Sequence, residues 1–173
     1  MNHATGAAFP PRNHDHDVCL ADALWRAKVR CAERGVRWTG LRELVFRHLA
    51  ASHRPLSAYD LIESIARDGK RLAPVSVYRI LDVLQSMGLV HRLESRNAFF
   101  ACMTEHPSLA RTITLLCDDC KQVSEIAAPE ALSAIGKTSE ATRFHPKRTV
   151  VEVTGICGDC QKAEKEGPRV DRQ

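Results

Sequence analysis

Residues 74–88 read PVSVYRILDVLQSMG. Val77, Ile80, Leu81 and Leu84 stand at i, i+3, i+4 and i+7, the spacing of one apolar helix stripe. The stretch therefore predicts a helix that begins after Pro74 and stops at Gly88. Near its opposite side lie Arg79 and Asp82, flanked by Ser76 and Tyr78. Two short alternating segments follow at once, LVHRLE (89–94) and AFFACM (98–103), joined through Ser95, Arg96 and Asn97. That pattern reads as a hairpin.

Upstream, three more helical patterns precede this unit. The first, about 20–34, spaces Ala23, Ala27 and Cys31 at i, i+4 and i+8 and ends at Gly35, so Cys31 is expected to be a core thiol. Thr39 suits the N-cap of the second, with Leu41, Leu44, Val45 and Leu49 inward. Ser57 suits the N-cap of the third, with Leu61, Ile62, Ile65 and Ala66 on one face and Gly69 at its end. Three helices, a fourth with a polar Arg-bearing face, and a hairpin make a winged helix-turn-helix. An exposed helix of this kind fits the major groove, while basic groups nearby hold phosphates. Arg79 is the expected base-edge or phosphate contact, with Tyr78 and Ser76 beside it. Arg37, Arg42 and Ser57 are the expected phosphate binders.

Charge supports this division. Residues 20–96 hold 14 Arg/Lys against 8 Asp/Glu, whereas the remainder holds 11 against 13. A basic front half suggests nucleic acid. The chain of 173 residues, 44% hydrophobic, suits one domain or two small ones. It has no apolar run of about 18 residues that would span a membrane. The start, MNHATGAAFPPRNHDHDV, lacks a basic stretch followed by an apolar core, so a secretory signal is not expected and a cytoplasmic location is. Thiols stay reduced there, and seven cysteines then point to metal rather than disulfides. The first 18 residues read as a disordered tail in which His14 and His16 are flexible polar groups, metal contact by them being the lesser reading, and Cys19 is assigned no role.

The rear half is organised by CDDC (Cys117, Cys120) and CGDC (Cys157, Cys160), with 36 residues between the pairs. Two such knuckles hold one tetrahedral zinc, and four thiolates leave no position for water or substrate. The site is therefore structural, and one pair acting as a redox dithiol is the lesser reading. Around it the pattern is β–β–α–β: TITLLC, QVSEIAA, PEALSAIGKTSEA and TVVEVTGIC. So small a sheet exposes its edges, and pairing between subunits covers them, which predicts a homodimer through this half. The fold class is α+β, a winged helix-turn-helix over 19–103 followed by a small α/β dimerisation domain with a four-cysteine zinc site over 104–162. Residues 163–173 read as a second disordered tail.

With RWTGLR at 37–42, SAYDL at 57–61, VYRIL at 77–81, GLVHRLES at 88–95 and the paired knuckles, residues 20–161 resemble the ferric uptake regulator superfamily. The resemblance implies winged-helix repressors that dimerise through the C-terminal domain and bind inverted-repeat, A/T-rich operators when metal-loaded. The zinc uptake branch adds a hinge site of mixed ligands. That implies His91, Cys102 and Glu125 here, a set whose thiolate suits Zn2+ better than Fe2+ or Mn2+. The register of the fourth ligand falls on Ala110, and His106 is the available replacement. A histidine that in many members precedes the last strand, part of a further metal site, is Arg148 here, and His145 reads as a surface residue. The expectation is thus two zinc ions per subunit, one structural and one regulatory, in a regulator of zinc uptake genes. Double-stranded DNA and a second copy are the expected partners, with no small-molecule substrate. A same-family sensor of another metal or of peroxide, and a DNA-binding module with structural zinc only, remain open. An enzyme is not expected, since the chain carries neither H-E-x-x-H nor H-x-E with P-C-x-x-C.

Overall fold

The first three helices of the front half start where the sequence supplies a capping side chain, and the fourth starts on a proline. In the computed structural model, which describes residues 9, 15–51, 53–102 and 112–166, α1 (His16–Glu33) begins on Asp15, whose carboxylate accepts from the N–H groups of Asp17 and Val18. This start lies four residues before the expected one; it takes His16 out of the predicted tail and places Cys19, expected just ahead of the helix, within its first turn. Thr39 caps α2 (Gly40–Ala50). Ser57 and Asp60 form a reciprocal capping box on α3 (Ala58–Arg67). Pro74 opens α4 (Pro74–Ser86). At its end Gly88 takes φ +66°, and Leu89 N–H donates to Leu84 C=O at 2.9 Å. That left-handed turn delivers the chain directly into the hairpin.

Val77, Leu81 and Leu84 are buried with Leu61, Ile65, Val45, Phe46 and Leu49 in one core that also takes Ala23, Ala27 and Cys31. Two inward assignments change. Leu41 is 48% exposed and Phe46 takes the core position instead, its ring edge-on to Trp38 at 5.9 Å. Ala66 is exposed, and Ala58 at the other end of α3 is buried.

The hairpin pairs β1 (Val90–Leu93) antiparallel with β2 (Ala98–Ala101), through a 3-10 turn (Glu94–Arg96) and Asn97 at φ +46°. All four β2 residues are buried, where alternation was expected. The hairpin is covered from both sides. Phe99 and Ala101 join the helical core, whereas Leu93 and Phe100 form a second cluster with Leu116 and Val123 of the rear half.

That rear half is a three-stranded sheet in the order β4-β3-β5. Strand β3 (Thr112–Cys117) pairs antiparallel with β4 (Val123–Ala127) and parallel with β5 (Glu152–Gly155), the crossover running through α5 (Pro129–Ala141). A last helix, α6 (Gly158–Glu166), extends beyond the expected end of this domain at residue 162. Polar contacts tie the halves together. The Glu152 carboxylate accepts from the N–H groups of Glu94 and Ser95 at 2.6 and 3.0 Å, and Arg148 pairs with Glu94 at 2.7 Å.

Candidate metal centres and nucleic-acid interface

Parallel pairing of β3 with β5 sets Cys117 opposite Gly155, so both strands deliver their knuckles to the same end of the sheet. The turn after Cys117 is closed by Lys121 at φ +62°, and Cys160 sits in the first turn of α6. Sγ of Cys117 stands 3.7 Å from that of Cys160, and Sγ of Cys120 stands 3.8 Å from that of Cys157. Two thiolates bound to one tetrahedral zinc at about 2.3 Å stand about 3.8 Å apart, so the four sulfurs already outline the coordination polyhedron. No disulfide joins any of the seven cysteines. Burial raises the Cys117 thiol, but N–H groups directed at it from Cys157, Cys120 and Asp119 more than offset this and bring it down to about 6. The Cys157 N–H···Sγ bond is 3.3 Å. Burial pushes Cys120 up to about 12, with its crowded thiol neighbours adding to the effect. Four such groups ionise together only around a cation, and an all-thiolate donor set fits zinc.

The second cluster draws on three segments. His91 on β1, Cys102 just past β2 and Glu125 on β4 place ligand atoms within 4.8 Å of one another. Nε2 of His91 lies 3.5 Å from Oε2 of Glu125. Burial lifts the Glu125 carboxyl to about 7, a shift that its hydrogen bond with Cys102 reduces. Such a group is held partly neutral until a cation takes the proton's place. A cleft of about 640 Å³ between the hairpin and the rear sheet is lined in part by His91 and Glu125. Imidazole, thiolate and carboxylate together fit tetrahedral zinc. His106, expected as the fourth ligand, lies outside the described residues. Arg148 also lines the cleft, committed to its ion pair with Glu94.

On α4 the structure exposes Tyr78 (42%) and Arg79, with Ser76 half-buried at the first turn. Arg37 is exposed, while Arg42 is half-buried and donates to the Arg37 carbonyl. Ser57 gives its hydroxyl hydrogen to Asp60 Oδ2 at 2.6 Å, so its own side chain has none for a phosphate while that bond stands. Tyr59, 69% exposed in the first turn of α3, is an aromatic that the sequence reading did not single out. Cys31 is fully buried and its thiol is raised by burial, which agrees with a packing role. Sequence reasoning also missed a third cluster, in which His16, Cys19 and His53 bring ligand atoms within 4.8 Å of one another. Its one local signal is H-x-x-C at the start of a helix.

The profile of the Ferric uptake regulator family matches residues 33–154. The Zinc uptake regulation protein of Escherichia coli K12 is 30% identical over 143 residues, covering 83% of this chain and 84% of that protein. A solved zinc uptake regulator in complex with zinc and DNA superposes with a TM-score of 0.76 at 30% identity, covering 84% of this chain and 97% of the other. The holo form of XcZur superposes with a TM-score of 0.69 at 34% identity, covering 86% of this chain and 99% of the other.

Proposed function

The chain belongs to the ferric uptake regulator family, a family of transcription regulators, and from that premise we propose that it is a zinc-responsive repressor of zinc uptake genes. In coarser outline it is a metal-responsive DNA-binding regulator. The observation that carries the finer reading is the convergence of His91, Cys102 and Glu125 between the hairpin and the rear sheet. A thiolate in a sensing site favours zinc over the harder cations that related regulators read.

Cys117, Cys120, Cys157 and Cys160 hold the structural zinc, and His91, Cys102, Glu125 and, by sequence position, His106 hold the regulatory one. The winged-helix head spans 19–103 and the dimerisation domain 104–162, a division supported by the helical core of the one and the cysteine cluster of the other, with Leu93, Phe100, Leu116 and Val123 packed across the boundary. A second copy covers the rear half. Helix α5 buries none of its side chains within its own chain, and Ile135, Phe144, Val150, Val153 and Ile156 are all exposed. Each head then presents α4 to an inverted-repeat operator, with Tyr78, Arg79 and Ser76 at the groove. Arg37, Arg42 and the α3 end at Ser57 serve phosphates, that last contact coming from backbone N–H groups. The protein works in the cytoplasm, beside its DNA.

Two ligands of the sensing site belong to the hairpin and the third to β4. Drawing them together fixes the angle between head and dimerisation domain, so that two heads match successive major grooves. A coupling of about 1.4 kcal/mol changes operator affinity tenfold, and operator DNA must tighten zinc by the same factor. The test is operator binding with and without excess zinc, on the native protein and on Cys102→Ser. The native protein should bind tighter with zinc. Cys102→Ser should keep its fold and lose the zinc dependence. Affinity independent of zinc in the native protein would leave only a zinc-stapled DNA binder, and titration with Fe2+ and Mn2+ separates sensors of other metals.

A further inference from the structure

The first turn of α1 carries His16 and Cys19 at i and i+3, which places both on one helix face. Opposite them stands His53, from the segment between α2 and α3. It is 9% exposed, the one buried polar or charged residue among the described residues. The His16 and His53 rings meet edge-on, centroids 5.2 Å apart. Imidazole, imidazole and thiolate thus bring ligand atoms within 4.8 Å of one another in a place that neither the cysteine knuckles nor the hinge cluster uses.

We propose that His16, Cys19 and His53 form a third metal site, one that takes Zn2+ and pins the start of α1 to the junction between the two halves. Three features support it: the orientation of His16, the chemistry of the donor set and the spacing of the ligand atoms. Nε2 of His16 lies 2.6 Å from the Ala51 carbonyl oxygen. A carbonyl only accepts, so Nε2 carries the hydrogen and Nδ1 keeps the lone pair a metal needs. That is the arrangement by which backbone carbonyls orient metal-binding histidines. Second, a donor set of two nitrogens and one sulfur selects a borderline-soft cation and excludes Mg2+ and Ca2+, which take oxygen ligands. Third, the size is right. Tetrahedral zinc needs ligand atoms about 3.3–3.8 Å apart, so side-chain shifts on the order of 1 Å close the site, and water completes the fourth position.

The location gives the site a consequence. The His53 carbonyl accepts from Val123 N–H at 2.9 Å, at the first residue of β4. Three residues on, Leu56 exchanges two backbone hydrogen bonds with Phe99 of β2, at 2.8 and 2.7 Å. Arg54 shares a surface hollow with Cys120 and Gln122 of the first knuckle. A cation on His53 therefore ties α1 to a segment that already touches the hairpin, the rear sheet and the structural zinc knuckle.

Zinc counting on the full-length protein tests this, by plasma mass spectrometry after saturation and gel filtration, with hydrogen exchange of residues 16–20 as the second readout. The native protein should hold three ions per subunit, one for each cluster. Cys19→Ser and His16→Asn should each lose one ion, and Cys19→Ser/His53→Asn should still lose only one. Zinc-dependent protection of residues 16–20 should vanish in Cys19→Ser and persist in Cys102→Ser. An unchanged count in Cys19→Ser, or two ions lost in the double variant, would overturn the proposal. Should His53→Asn impair folding, the two single variants at the half-buried positions decide alone. Because Cys102→Ser reports on the hinge cluster and Cys19→Ser on this one, the sensor reading and the third site fail separately.

Discussion

Replacing Cys117 by serine is the sharpest perturbation of the rear half, because that thiol is 1% exposed and accepts the Cys157 N–H. Apart from cysteines, the buried hydrophobic residues described between 112 and 166 are Leu116 and Val123. Full burial of an aliphatic side chain is worth about 1.5–3 kcal/mol, so these two supply ~3–6 kcal/mol before any ordering cost. A thiolate-rich zinc site contributes ~10–16 kcal/mol, more than the whole stability of many small domains, about 5–15 kcal/mol. The rear half should therefore unfold when its fourth thiolate is lost, while the head, with 19 buried residues in its own cluster, stays folded. Hydrogen exchange resolved along the chain reads this directly. Amides of β3, β4 and β5 should exchange near unfolded-chain rates in Cys117→Ser, with α2, α3 and α4 still protected. Zinc content should fall, and the particle should lose its dimeric size. A variant with the native melting profile and native zinc content would refute the reasoning.

Arg79→Ala should weaken operator binding by about 1–3 kcal/mol, roughly 5- to 150-fold, without changing the melting temperature; titration at fixed salt checks it. An unchanged affinity would remove α4 from the interface. Glu152→Gln should loosen the docking of the hairpin on β5. Burial alone would raise the Glu152 carboxyl, but hydrogen bonds from the Ser95 side chain and from the N–H groups of Ser95 and Glu94 outweigh it and hold the group below the usual range. Stability from such a group is present above its unfolded-state value and is lost as pH falls through the lowered folded-state value. The gap in urea midpoint between native protein and Glu152→Gln should therefore be largest near neutrality and close on acidification. Acid removes thiolate-bound metal from both proteins alike, so only their difference is read, and a gap that persists in acid would count against the contact.

The helical stripe of α4, its stop at Gly88, the capping residues Thr39 and Ser57 and the paired knuckles were all legible in the sequence. Each is a local signal, because periodicity, capping and C-x-x-C spacing act within a few residues of themselves. The full burial of β2 was not legible, since it needs the helical core on one side and the rear sheet on the other. Nor was the exchange of Leu41 for Phe46, which Trp38 settles by packing against the ring. Sequence named His91, Cys102 and Glu125 only through resemblance, and nothing in their spacing brings them together. Cys19 was given no role because His53 is distant along the chain and reaches it only when α1 packs against the end of α2. Covalent spacing fixes what a knuckle or a turn can do, whereas ligands carried on separate elements converge only through packing, and that convergence belongs to tertiary structure.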